Sequence, residues 1–235
     1  MQTSECTKWG EIMEDNFIRL LENDIKEKHL SKHKFYQLWN EGKVSMEALR
    51  AYSQQYYKFV SEFPRLVSRV HSNTPYMEDR LLMVDNLNEE ENRKLPHEEM
   101  WIRFAEGLGV KRDKINAKML PETKKSIDKL RRLCSNDFLG GTAALLAYES
   151  QIPEIAELKM NGLKQHYNIK DKRSLEFFKV HSKVDIEHQK TWKKIIAKHV
   201  KTNAQKTRVR KALNKSLDAM NLLLDGIYSK YCHAY

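Results

Sequence analysis

Apolar residues recur along this chain at steps of three and four, with polar residues between them, which is the period of an amphipathic helix. Phe17, Leu20, Leu21 and Ile25 set such a face over 12–30. A short helix is expected at His33–Trp39, ending at Gly42. Ser45, with Glu47 soon after, opens a long helix to about Ser72, and Pro64 inside it predicts a kink. Further helices are expected over 76–92, from Pro96 to Gly107 with the proline in the first turn, and over Lys124–Cys134. Asp137 caps a long helix to about Tyr167, interrupted at Pro153. Ser174 opens another to about Val200, and the last runs from about Asn203 to Tyr228. Nothing reads as a sheet. The expected fold is an all-α bundle of about seven or eight helices, with residues 1–15 as an N-terminal extension to a helical domain over 16–232.

Composition supports helices and narrows the class. A hydrophobic content of 40% is too high for a disordered chain, and Gly 8 and Pro 5 are few for 235 residues. No apolar run approaches the ~20 residues of a membrane span. The N-terminus lacks the basic start and apolar core of a secretory signal. Cys6, Cys134 and Cys232 are far apart and form no CxxC, as expected of reduced thiols in a cytoplasmic protein. The net charge of +10 is concentrated. From His188 to Leu217 there is no acid, and the stretch carries ten Lys and Arg residues, while the rest is balanced. Ile195, Ile196, Val200, Val209, Leu213 and Leu217 share this stretch, so one of its faces packs inward. With no recognition motif and no interleaved aromatics beyond Trp192, it reads as a solvated basic face, and no nucleic-acid partner is expected.

The segment Leu175–Ile196 carries the chemistry. Phe178, His181, Asp185, His188, Trp192 and Ile195 follow at alternating steps of three and four, and at ~100° per residue they share one face. The ends of that stripe are apolar and its middle is His-x3-Asp-x2-His. Two imidazoles and a carboxylate on a buried face are costly unless they share a partner, and a metal ion binds all three at once. Glu149 is the first acid after Asp137, in the most apolar helix of the chain, and it needs a counter-charge. Met83, Leu87 and Glu90 share a face, and His97 follows seven residues later. The neighbours Glu89 and Glu91 read as part of a solvated acidic run. Glu90, His97, Glu149, His181, Asp185 and His188 are too many ligands for one catalytic ion, and they suit two ions sharing a bridging carboxylate. Nitrogen and oxygen ligands without thiolate favour iron or manganese, as Fe/Fe, Mn/Fe or Mn/Mn. Tyr52, Tyr56, Phe59 and Phe63 form an aromatic stripe, read as core that walls the pocket, and His71 is read as a structural histidine.

The segments FYQLW (35–39), MVDNLNEEEN (83–92), YESQIPEIAELK (148–159) and HSKVDIEH (181–188) resemble the heme-oxygenase-like di-iron oxidases in order and spacing. Within these, they are most similar to the chlamydial death-domain-associating p-aminobenzoate synthases of folate biosynthesis. Pyrroloquinoline-quinone synthases and TenA-type thiaminases share the fold more distantly. The resemblance runs from about Phe17 to about Ala197. It implies that the six residues above hold the two metals. It also implies that O2 and an external reductant drive the reaction. By the same resemblance Tyr36 supplies the aromatic ring of p-aminobenzoate, Lys159 the amino nitrogen, and Tyr148 is a redox-active neighbour of Glu149. Read without it, Tyr36 is a core tyrosine and Lys159 a surface lysine. Lys159 is ten residues from Glu149, about 80° off the ligand face of an ideal helix, with Pro153 between them. The competing readings are an oxidase of a free small molecule and an interaction protein for host death domains. A homodimer is among the expected partners; no sequence feature encodes a death-domain partner, which comes from the resemblance alone.

Overall fold

The computed structural model describes residues 16–232, so the extension expected over 1–15, with Cys6, lies outside the described residues. The elements are α1 (16–27), α2 (Lys34–Asn40), α3 (Met46–Val60), α4 (Phe63–Asn73), α5 (Met77–Glu90) and α6 (His97–Gly107). They continue with α7 (Pro121–Asn136), α8 (Phe138–Glu149), α9 (Ile152–His166), α10 (Lys172–His199) and α11 (Asn203–Tyr231). Single 3-10 turns lie at Leu30–Lys32 and Arg112–Lys114. The described residues contain no strand.

The kink expected at Pro64 is a full break. Helix α3 ends at Val60, and Pro64 sits in the first turn of α4, where its missing N–H would have had no partner. The interruption expected at Pro153 is of the same kind, with Ser150 and Gln151 between α8 and α9. Cap residues set other boundaries. Asp171, rather than Ser174, caps α10: its carboxylate accepts from the Ser174 N–H at 2.8 Å, and the helix starts at Lys172. Helix α7 starts at Pro121, three residues before the expected Lys124. Thr202 and Gln205 form a reciprocal capping box that opens α11.

Helix α10 packs against α5, α6, α8 and α9, which places its inner stripe at the centre of the molecule. Trp39, Trp101, Trp192, Tyr36, Tyr52, Tyr56, Phe35, Phe59, Phe104 and Phe178 are all fully buried there. The basic stretch divides as expected. Ile195, Ile196, Val200, Val209, Leu213 and Leu217 are buried. Several of its cations meet acids from the first part of the chain: Lys193 with Glu22 at 2.6 Å, Lys198 with Glu78 at 3.0 Å, and Arg210 with Asp24 through two nitrogens at 2.6 and 2.8 Å. No described helix is long and apolar enough to cross a membrane.

Candidate metal centre

Four helices deliver the six candidate ligands. Helix α10 turns His181, Asp185 and His188 inward, with Phe178, Trp192 and Ile195 continuing the stripe; all six are buried. Glu149 is the last residue of α8, Glu90 the last of α5, and His97 the first of α6. The seven-residue interval from Glu90 to His97 is therefore no run of helix. Extended backbone at Pro96 lets two helix ends meet, with His97 Nδ1 3.0 Å from Glu90 Oε2. The six side chains fall into two groups, Glu90–His97–His181 and Glu149–Asp185–His188, and in each the ligand atoms lie within 4.8 Å of one another.

In the first group, His181 Nδ1 donates to the Phe177 carbonyl at 2.7 Å, which leaves Nε2 facing Glu90 Oε1 at 4.0 Å. The His97 and His181 rings are 4.3 Å apart, centre to centre. In the second, His188 Nδ1 lies 3.1 Å from Glu149 Oε1 and 3.3 Å from Asp185 Oδ1. Glu149 is wholly buried and receives hydrogen bonds from Asn86 Nδ2, at 3.0 Å, and from Trp192 Nε1. Asn86 and Trp192 carry no ionisable group, and sequence reasoning did not assign them. Asn86 was findable in principle, being one turn before Glu90 on the same face.

The electrostatics favour positive charge at this point. Burial, then the nearby Glu149 and Glu90, push the Asp185 carboxyl well above the usual carboxylate range, against the hydrogen bond from His188. Burial and the neighbouring His97 push His181 well below the usual imidazole range. Burial would lower His188 too, but hydrogen bonds and charge from Asp185 and Glu149 outweigh it and raise it to about 11. His97 Nδ1, Asp185 Oδ2, His188 Nε2 and Asn86 Oδ1 are buried without an aligned hydrogen bond. Each such atom costs about 1–3 kcal/mol unless something else satisfies it. Three carboxylates, three imidazoles and the orphaned His97 Nδ1 and Asp185 Oδ2 fit a divalent cation in each group.

Beside the centre is a chamber of aromatic rings. Tyr36 is wholly buried and its hydroxyl is 2.9 Å from that of Tyr52. The Tyr52 and Tyr56 rings are 5.2 Å apart, and the Tyr56 hydroxyl donates to that of Tyr148 at 3.3 Å. Burial pushes all four phenols above the usual tyrosine range. Phenols thus run from Tyr36 to Tyr148, next to Glu149. Lys159 is no surface lysine: it is 3% exposed, with Nζ 5.0 Å from the Tyr36 ring centre and 4.7 Å from that of Tyr56. The break between α8 and α9 voids the angle counted from Glu149. Phe59 and Phe63 pack against Tyr148, so the aromatic stripe is core that walls this chamber. Cys134 and Cys232 are free and buried, and burial pushes the Cys134 thiol up to about 12.

A third carboxylate approaches His188 from outside. Glu89 Oε2 lies 3.0 Å from His188 Nε2, off the line of a hydrogen bond, so Glu89 is not simply part of a solvated run.

Several known proteins are similar to this chain. The 4-aminobenzoate synthase of Nitrosomonas europaea is 37% identical over 229 residues, 93% of each chain. The 4-aminobenzoate synthase of Chlamydia trachomatis is 35% identical over 193 residues, 81% of this chain and 84% of its own. A TenA homolog from Pseudomonas syringae shares the fold at a TM-score of 0.80 and 19% identity, covering 91% of this chain and 93% of its own. The model of one family, described as iron-containing redox enzymes, matches residues 50–221, a span that holds all six candidate ligands, Tyr148 and Lys159. By that match, and by relatives above one-third identity along most of its length, the chain belongs to the haem-oxygenase-like iron-containing redox enzymes.

Proposed function

We propose that this protein is a cytoplasmic, O2-dependent dimetal oxidase that forms p-aminobenzoate for folate synthesis from its own side chains. Tyr36 is the source of the ring and Lys159 of the amino nitrogen. Glu90, His97 and His181 would hold one divalent ion, and Glu149, Asp185 and His188 the other, as iron, manganese or one of each. Bound there, the pair supplies one-electron oxidising power from O2, with electrons returned by an external reductant.

One observation carries the reading: the buried Lys159 amine lies over the buried Tyr36 ring, 5.0 Å from its centre. Burial holds that amine well below the usual lysine range, which favours the neutral form whose lone pair a carbon–nitrogen bond requires. Two hydroxyl pairs, Tyr36–Tyr52 and Tyr56–Tyr148, lie between Tyr36 and the end of α8, with the Tyr52 and Tyr56 rings 5.2 Å apart where the pairs meet. Trp101 and Phe178 flank the Lys159 amine, and Tyr36 itself is wholly buried away from water. The names of the relatives support the product, and the family supports the redox chemistry.

The test is turnover by protein purified with iron and manganese available, read by metal analysis, product assay and intact mass. About two ions per chain, p-aminobenzoate in the medium and a matching loss of protein mass are expected. Tyr36→Phe should retain both ions and yield no product. Product from Tyr36→Phe, or full-mass wild type after many turnovers, would assign the site to a free small-molecule substrate instead. Fewer than one ion per chain would end the dimetal reading.

A further inference from the structure

Two of the three candidate ligand histidines reveal which nitrogen is held from outside. His181 is held by Nδ1, which donates to the Phe177 carbonyl, and its Nε2 faces the centre. His188 is the reverse case. Its Nδ1 faces Glu149 and Asp185, and its Nε2 points to the end of α5, where Glu89 Oε2 stands 3.0 Å away. That oxygen lies off the ring N–H direction, so the contact is ionic rather than an aligned hydrogen bond. Glu89 differs from the buried candidate ligands in one respect: its side chain is 47% exposed, so no packed core opposes the small rotation that would bring it into line.

We propose that Glu89 is a positioning residue for the second metal position: its carboxylate accepts the Nε2–H of His188 and so fixes Nδ1 toward the cation shared with Glu149 and Asp185. An imidazole has two nitrogens and can ligate through either. Unless the outer nitrogen is held, the ring can rotate or tautomerise away from the useful geometry. A carboxylate behind a ligand histidine removes that freedom. Glu90, one residue on, points inward on the same helix end. Adjacent acids thereby take different tasks: Glu90 serves the first group directly and Glu89 the second through His188. The inference rests on the two-ion reading above.

The experiment titrates metal-free full-length protein with Co2+ alone, without O2, following heat and the visible cobalt bands. Wild type, Glu89→Ala and Glu89→Gln are compared, with far-UV circular dichroism to check folding. Wild type should take two ions. Glu89→Ala should keep one at wild-type affinity and bind the other about 10–100-fold more weakly, whereas Glu89→Gln, whose amide oxygen still accepts from Nε2, should stay within about threefold. Two unchanged ions in Glu89→Ala would overturn the inference. So would Glu89→Gln as weak as Glu89→Ala, which would make the carboxylate a ligand itself. A wild type that takes up no ion defeats the two-ion reading and this inference with it. A wild type that takes two, with an unaltered Glu89→Ala, defeats this inference alone.

Discussion

A lysine amine among five aromatic rings is a stability statement as well as a chemical one. Burial depresses the Lys159 pKa, so in the folded chain the amine gives up its proton over a range where the unfolded chain still holds it. Between the depressed value and the unfolded value near 10.5, the unfolded state binds more protons, so stability rises with pH. Lys159 therefore costs stability at neutral pH, and the cost fades as pH climbs toward the unfolded value. Lys159→Met, which keeps the length and drops the charge, should melt above wild type at pH 7, with the gap narrowing toward pH 10. Paired thermal melts across that range check this; an equal gap at both ends would mean the amine is already charged in the fold.

At the scale of the element, α9 is fixed by one close crossing. A Cβ placed on Gly162 would stand 2.5 Å from Trp39 Cδ1, and Trp39 is wholly buried against Phe35, Tyr36 and Tyr52. Gly162→Ala gains up to ~1 kcal/mol in helix propensity, but the overpacking should outweigh it at about 1–3 kcal/mol. The urea midpoint should fall, and because Trp39 Nε1 donates to the Lys159 carbonyl at 3.3 Å, the chamber should be disturbed with it. This crossing also marks where the sequence became legible and where it did not. The α10 stripe was readable because His181, Asp185 and His188 lie on one helix with one period. His97 was readable only weakly, because its place beside Glu90 comes from two helix ends meeting at Pro96. The burial of Lys159 and the approach of Glu89 depend on how separate helices are set against one another. Only the family resemblance singled out Lys159, and nothing singled out Glu89.

For the whole molecule, the acid-free stretch after His188 looked in sequence like a separate basic feature. In the fold, its inner face completes the core and part of its charge is met by Glu22, Asp24 and Glu78 from α1 and α5. Local charge counts along the chain could not show this, because the partners are more than a hundred residues away. The complete burial of Tyr36 has a consequence of a different kind. On the proposed chemistry, each round removes a ring from the middle of the core rather than from a replaceable surface. Loss of a buried aromatic ring costs about 3–5 kcal/mol, a large share of the ~5–15 kcal/mol that holds a domain together. Spent protein, separated by mass, should melt lower than fresh protein by on the order of 10 °C. A spent chain that melts with the fresh one would place the lost atoms elsewhere. A spent chain that melts lower is a single-use reagent that marks itself for proteolysis, and the supply of product is then metered by the ribosome rather than by a turnover number.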